Sequence, residues 1–233
     1  MSGQKRITVF TGSGISAESG IKTFRDSDGL WENYRVQDVA TPEAFASNPK
    51  LVLDFYNQRR KQVLEAKPNE AHKALVRLEE KFDVRIVTQN VDDLHERAGS
   101  KHVLHLHGEL GKARSVKNSE KVYDITGAEI NLGDLAEDGG QLRPHIVWFG
   151  EDVPMMEAAI TLVQECKTFL IIGTSLEVYP AASLLHFTYP NCSKILIDPK
   201  ADSIIQRGDI RLVSETAGQG VPRIVDELLA NEH

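Results

Sequence analysis

The chain has 233 residues, 41% of them hydrophobic, enough to bury the core of one large domain or of a domain with a small insertion. Its formal net charge of −7 argues against general affinity for nucleic acid or anionic membranes, and no apolar run approaches the ~20 residues needed to cross a bilayer. Met1–Arg6 leads straight into an apolar stretch, so no secretory signal is expected; Cys166 and Cys192, far apart and without a CxxC partner, read as thiols in a reducing cytoplasm.

In chain order, the first signal is the β-rich run Ile7–Phe10, followed by Thr11-Gly12-Ser13-Gly14-Ile15-Ser16-Ala17-Glu18-Ser19-Gly20, a glycine-rich turn that should open a helix. Glycines let backbone approach a ligand closely, and the N–H groups of a helix start suit a diphosphate. An ordinary strand-to-helix turn is the plainer reading. The dinucleotide fingerprint is incomplete: Gly12 and Gly14 fit, Ala17 takes the third place, and Trp31–Asp38 offers no second strand ending in an acidic residue. A hydride-transferring dehydrogenase is therefore a poor reading. Residues 25–68 hold no convincing strand but two helical stretches. Within them Arg59-Arg60-Lys61 reads, on composition, as a solvated basic run.

Ala71–Lys81 has a helical pattern, and Val84–Thr88 reads as a second buried strand. It ends in Gln89-Asn90-Val91-Asp92, where amide and carboxylate groups could bind ribose hydroxyls or a carboxamide, or equally cap a helix. In Leu104-His105-Leu106-His107-Gly108, two histidines at i and i+2 of an extended run share a face. A metal pair lacks a nearby cysteine or second acidic ligand. His107 is the better candidate for a general base, because imidazole titrates near neutral pH. Residues 108–142 are polar and glycine-spotted. The stretch Leu142–Glu151 ends in Phe149-Gly150 and could pair with a peptide by strand addition, or be an ordinary strand and turn. Met155–Cys166 and Val221–Leu229 are helical, while Phe169–Ile172 and Lys194–Ile197 are strands followed by Gly173-Thr174-Ser175 and Asp198-Pro199. Strands alternating with helices predict an α/β fold with a parallel sheet, with ligands beyond the carboxyl ends of its strands.

In order and spacing, these segments resemble the sirtuin family of NAD-dependent protein deacylases. The matching residues are Gly12–Ile21, Thr23-Phe24-Arg25-Asp26, Thr88–Asp92, Leu106-His107-Gly108, Arg143–Glu151 and Gly173-Thr174-Ser175-Leu176, and the likeness runs from about residue 6 to the C-terminus. It implies one catalytic domain over 1–233. A Rossmann-like core, helices on both faces of its parallel sheet, would comprise about 1–24, 82–107 and 143–233. A smaller inserted domain would comprise about 25–81, which is helical, and 108–142.

By the same resemblance Gly12, Ser13, Gly14, Ile15 and Ser16 would hold the pyrophosphate of NAD, and Phe24, Arg25 and Asp26 would line a flexible loop at the nicotinamide ribose. Gln89 would bind that ribose, and Asn90, Val91 and Asp92 would enclose the carboxamide, Asn90 with a catalytic part. His107 would be the general base. Val147, Phe149, Gly150 and Glu151 would align the substrate peptide. Gly173, Thr174 and Ser175 would sit on the adenosine side, with Asp198 at the adenine ribose. The implied reaction is attack of the acyl-lysine amide oxygen on the ribose carbon as nicotinamide leaves, then proton removal by His107, ending in O-acyl-ADP-ribose and free lysine. Partners would be acylated-lysine proteins or peptides, with no nucleic acid and no membrane; a cytoplasmic monomer is expected.

Three departures from the family pattern stand out. Ser13 replaces the commoner alanine, and Asp198 and Lys200 lie where Asn and Glu are usual. Most sirtuins carry two CxxC pairs that bind a structural zinc; here they appear as Ser115-Val116-Lys117-Asn118 and Leu135-Ala136-Glu137-Asp138, so no metal is expected. Tyr56 and Arg59, one helical turn apart, match the pair of the subgroup that prefers acidic acyl groups. Removal of succinyl, malonyl or glutaryl in preference to acetyl is the resulting expectation, with general deacetylation or mono-ADP-ribosylation as alternatives.

Overall fold

The computed structural model describes residues 5–22, 30–31 and 34–231. Strand β1 (Arg6–Thr11) runs into a 3-10 helix over Ser13–Ser19, where a longer helix was expected. A short antiparallel pair, β2 (Leu30–Trp31) and β3 (Tyr34–Arg35), precedes helices α1 (Val36–Val39), α2 (Pro42–Ser47) and α3 (Pro49–Glu65). Strand pairing in the 25–68 segment was missed because two-residue strands leave no periodic signal. Asn48 caps α3 by accepting from Leu51 N at 3.2 Å, with Pro49 in the first turn, where its missing N–H costs nothing. Helix α4 (Glu70–Leu78), strand β4 (Asp83–Thr88), helix α5 (Leu94–Ala98) and strand β5 (Val103–His105) follow.

Strands β6 (Gly108–Ser115), β7 (Val122–Asp124) and β8 (Leu142–Ile146) form a separate antiparallel sheet in the order β7-β6-β8. The chain closes with α6 (Met156–Gln164), β9 (Thr168–Ile172), a 3-10 helix over Ala181–Phe187, β10 (Ser193–Ile197), α7 (Ala201–Ile204), β11 (Ile210–Val213) and α8 (Ala217–Ala230).

The main sheet has the order β11-β10-β9-β1-β4-β5, parallel throughout. The chain winds outward from β1 through β4 to β5, then returns to β1's other side and winds out through β9, β10 and β11. The reversal lies between β1 and β9, and its crevice is where such sheets bind ligands. Thr11 is level with both Thr88 and Ile172, so the turns after these strands emerge together.

Both faces of the sheet are covered, which is why its strands read as near-continuous apolar runs. Ile7 and Val9 face a core with Leu75, Leu78, Ile224 and Val225 of α4 and α8. Phe10 faces the other way, stacked on Phe169 at 6.3 Å, among Val163 and Leu184. A third core joins α3 to the small sheet through Phe55, Tyr56, Leu110, Ile146 and Trp148.

The two cysteines are distant in sequence but not in space: their buried Sγ atoms lie 3.4 Å apart at the ends of β9 and β10 away from the ligand crevice. At the positions of the expected zinc pairs stands a hydrogen-bonded turn. Ser115 Oγ donates to Asp138 Oδ1 at 2.8 Å, and the same oxygen accepts from Gly140 N at 2.8 Å. Lys117 N donates to Ser115 Oγ at 3.0 Å. These donors hold the Asp138 carboxyl below its ordinary pKa.

Candidate active site

The turns after β1 and β9 meet backbone to backbone. Gly12 N donates to Ile172 O at 3.0 Å and Gly14 N to Gly173 O at 2.9 Å. A Cβ on Gly12 would stand 2.7 Å from Gly173 O. Gly173 has φ +60°, and a Cβ there would stand 2.5 Å from Ile15 N. These glycines are thus required first by the contact between the two loops, a demand the sequence reading had placed on the ligand. Ile15 and Ser16 are buried behind the turn, and Ser13 opens it.

A polar cluster fills the crevice beside it. Asn90 Nδ2 donates to Ser16 Oγ at 3.2 Å, and Ser16 Oγ donates to Asp92 Oδ2 at 3.1 Å. Asp92 Oδ1 accepts from Leu94 N at 3.2 Å, so Asp92 both holds the turn that leads into α5 and faces the crevice. Burial raises its carboxyl pKa. Gln89 Nε2 donates to Thr174 Oγ1 at 2.9 Å, tying the turn after β4 to that after β9. Ser175 follows Thr174, half-buried, and Asp198 lies buried at the end of β10 with Oδ1 accepting from Lys200 N at 2.9 Å. Ser16, Gln89, Asn90, Asp92, Thr174 and Asp198 thus gather at the carboxyl ends of four adjacent strands. Such a set of amides, hydroxyls and carboxylates fits the ribose and carboxamide groups of NAD. Phe24, Arg25 and Asp26 lie outside the described residues.

His107 approaches the cluster from the far side. Its Nδ1 lies 3.1 Å from Gln89 O. A carbonyl only accepts, so Nδ1 carries the proton and Nε2 keeps its lone pair. Burial pushes the imidazole pKa below its ordinary value, which keeps the ring neutral at neutral pH. A neutral ring with an available lone pair can take a proton from a hydroxyl.

The loop after β8 carries the residues expected to align a peptide. Val147 N donates to His107 O at 2.9 Å, which ties this loop to the base. Phe149 is 46% exposed, its N–H donating to Ala40 O at 3.0 Å, and Gly150 has φ +91°. Glu151 turns inward. Its carboxylate accepts from Arg143 Nη1 at 2.7 Å, Arg114 Nη2 at 3.0 Å and Trp148 N at 2.8 Å, so its side chain anchors the loop. The Arg143 guanidinium stacks 3.2 Å from the Trp148 ring centroid. Trp148 Nε1 in turn donates to Tyr56 OH at 2.9 Å.

Tyr56 is therefore joined to this loop, and Arg59 lies one helical turn further along α3. Both are buried on α3, and Arg59 bears electrostatically on the Tyr56 phenol. Arg60 is buried as well, with Nε donating to Leu110 O at 2.6 Å, which corrects the reading of 59–61 as a solvated run; only Lys61 is exposed. Sequence reasoning gave no role to Arg114, Arg143 and Trp148. Arg143 and Trp148 stand near Glu151 in the chain, but no sequence signal links Arg114, 37 residues away, to it.

Comparison with known proteins adds the following. The model of the Sir2 family matches residues 12–180. An NAD-dependent protein deacylase of Helicobacter pylori (strain ATCC 700392 / 26695) is 52% identical over 225 residues, covering 97% of this chain and 98% of that one. A solved Sir2 homologue–NAD complex superposes with a TM-score of 0.85 at 37% identity, covering 99% of this chain and 91% of that one. A Sir2 mutant with a deacetylated p53 peptide and 3'-O-acetyl ADP ribose superposes with a TM-score of 0.80 at 31% identity, covering 96% and 94%.

Proposed function

The chain belongs to the Sir2 family and is an NAD-dependent protein deacylase, and we propose that it removes acidic acyl groups (succinyl, malonyl, glutaryl) in preference to acetyl. The observation that carries the preference is the pair Tyr56 and Arg59, both buried one turn apart on α3, with the Tyr56 hydroxyl joined through Trp148 to the loop of Val147 and Phe149. A guanidinium offers a planar fork for a carboxylate, and a phenol adds a hydroxyl donor. An acyl chain tipped by a carboxylate would meet both.

Bound NAD supplies the ribosyl carbon that accepts the acyl oxygen as nicotinamide departs. Around it Gly12, Ser13, Gly14, Ile15 and Ser16 take the pyrophosphate. Gln89 orients the nearer ribose, and Asn90, Val91 and Asp92 hold the carboxamide. Gly173, Thr174, Ser175 and Asp198 bind the adenosine half. His107 Nε2 accepts a proton from a ribose hydroxyl, and Val147, Phe149 and the Gly150-Glu151 backbone lay the acyl-lysine peptide along the loop. Phe24, Arg25 and Asp26 complete the cofactor side.

The test is kcat/KM for succinyl and acetyl versions of one peptide, in the native chain, Arg59→Met and Tyr56→Phe. A charge-assisted hydrogen bond contributes about 1.5–3 kcal/mol, so Arg59→Met should cost roughly ten- to hundred-fold on the succinyl peptide. The acetyl peptide should be spared or improved, and Tyr56→Phe should act in the same direction with a smaller effect. Equal losses on both peptides would reduce Arg59 to a structural charge and return the function to general deacetylation.

A further inference from the structure

The segment Gln89–Val91 leaves the sheet after β4, and three successive carbonyls of it are captured by the stretch His105–Leu110, which runs from the end of β5 into β6. His107 Nδ1 takes Gln89 O at 3.1 Å, His105 Nδ1 takes Asn90 O at 2.9 Å, and Leu110 N takes Val91 O at 2.8 Å. Two imidazoles thus replace the backbone donors a regular ladder would supply. The rings differ at their other nitrogen. His105 Nε2 lies 2.8 Å from Glu96 Oε1 on α5. A carbonyl and a carboxylate both only accept, so a ring held between them must donate from both nitrogens, and His105 is an imidazolium. His107, with a single carbonyl on Nδ1, is neutral.

We propose that His105, clamped as a cation by Glu96, is a positioning residue for deacylation: it fixes the Asn90 carbonyl and thereby aims the Asn90 side chain at the carboxamide end of NAD. The proposal rests on the reading of Asn90, Val91 and Asp92 as the carboxamide pocket. The charges around the ring agree with it. Glu96 and His95 face it from α5, Asp92 from the turn after β4, and Glu109 from β6, while Lys112 of β6 acts on Glu96. Burial disfavours the charged ring, but Glu96, the Asn90 carbonyl and Glu109 outweigh it and raise the pKa above the ordinary value.

Deprotonation would set a lone pair against either the carboxylate or the Asn90 carbonyl and release one of the two. The rate should therefore have an alkaline limb set by His105, separate from the acid limb set by His107. In Glu96→Gln the amide can accept from the charged ring or donate to the neutral one, so either charge state keeps Asn90 in place.

The test uses the full chain, with nicotinamide and ADP-ribose as probes. His105→Leu should raise the KM for NAD and weaken nicotinamide inhibition roughly ten-fold, the worth of the hydrogen bond a misaimed Asn90 would no longer make to the carboxamide, with ADP-ribose affinity unchanged and the melting temperature lowered by the lost contacts to Asn90 and Glu96. Glu96→Gln should flatten the alkaline limb of kcat/KM for NAD and leave the acid limb in place. Equal loss of ADP-ribose and nicotinamide binding in His105→Leu, or an unmoved alkaline limb in Glu96→Gln, would overturn the proposal. Asn90→Ala separates the two levels. If it weakens nicotinamide inhibition while His105→Leu does not, the positioning role alone is wrong; if Asn90→Ala leaves inhibition intact, the pocket assignment is wrong as well.

Discussion

The proposed role of His107 as base rests on two local facts, a carbonyl that holds its Nδ1 proton and burial that disfavours the imidazolium. Loss of a general base typically costs ~10²–10⁴-fold, so His107→Ala should lose that much deacylation while keeping NAD affinity; turnover near the native rate would refute the assignment. Because its pKa is lowered from 6.5, kcat/KM should hold as pH falls past 6.5 and decline only below it, which a pH profile with a succinyl peptide checks. His107 stood out as a candidate in the sequence because a histidine followed by glycine after a strand-like run is a local pattern. The inward turn of Glu151 did not, since it depends on Arg114 and Arg143, which only the folded β6–β8 pair brings together. The burial of Arg60 escaped for the same reason: its acceptor, Leu110 O, lies 50 residues away.

Among the elements, the four strands with continuous apolar runs were legible because burial on both faces imposes that pattern. Strands β5 and β11 are shorter and carry polar or half-exposed residues, so neither gave a run to read. The turns after β1 and β9 depend on each other, and Gly173→Ala tests the dependence. With φ +60° and a Cβ 2.5 Å from Ile15 N, it should weaken NAD binding and lower the melting temperature together; unchanged binding would show that the loops part at little cost. The end of β6 and the segment between β7 and β8 are joined by the turn built on Ser115, Asp138 and Gly140, where the family pattern has thiolates. Purified protein should carry no stoichiometric zinc, and a chelator should not unfold it. Elemental analysis finding one tightly held zinc per chain would contradict this.

On the scale of the whole molecule, the doubly wound order could be anticipated from alternating strands and helices, but the side-chain tie joining β1 and β4 to the helices α4 and α5 could not. His95 Nε2 lies 3.1 Å from Thr11 Oγ1, and Thr11 Oγ1 donates to Thr88 Oγ1 at 2.8 Å, while the His72 ring meets the His95 ring edge to face at 4.9 Å. Burial pushes His72 down to about 4 and His95 well below 6.5, so folding favours their neutral forms. Their contribution to stability is full above about 6.5 and is lost as pH falls toward the folded values, ahead of the carboxylates. The urea midpoint should therefore drop between pH 6.5 and 4; a flat midpoint across that window would mean the two rings bind protons without opening the fold. Around this core, the small sheet and α3 bring the buried Tyr56 to Trp148 of the loop after β8, and the proposed acyl choice rests on that placement. The most direct measurement is a competition: equal amounts of succinyl and acetyl forms of one peptide with NAD, the products followed by mass spectrometry. The account predicts that the succinyl peptide is consumed first, with O-succinyl-ADP-ribose and nicotinamide appearing together. Consumption of the acetyl peptide at an equal or greater rate would contradict it.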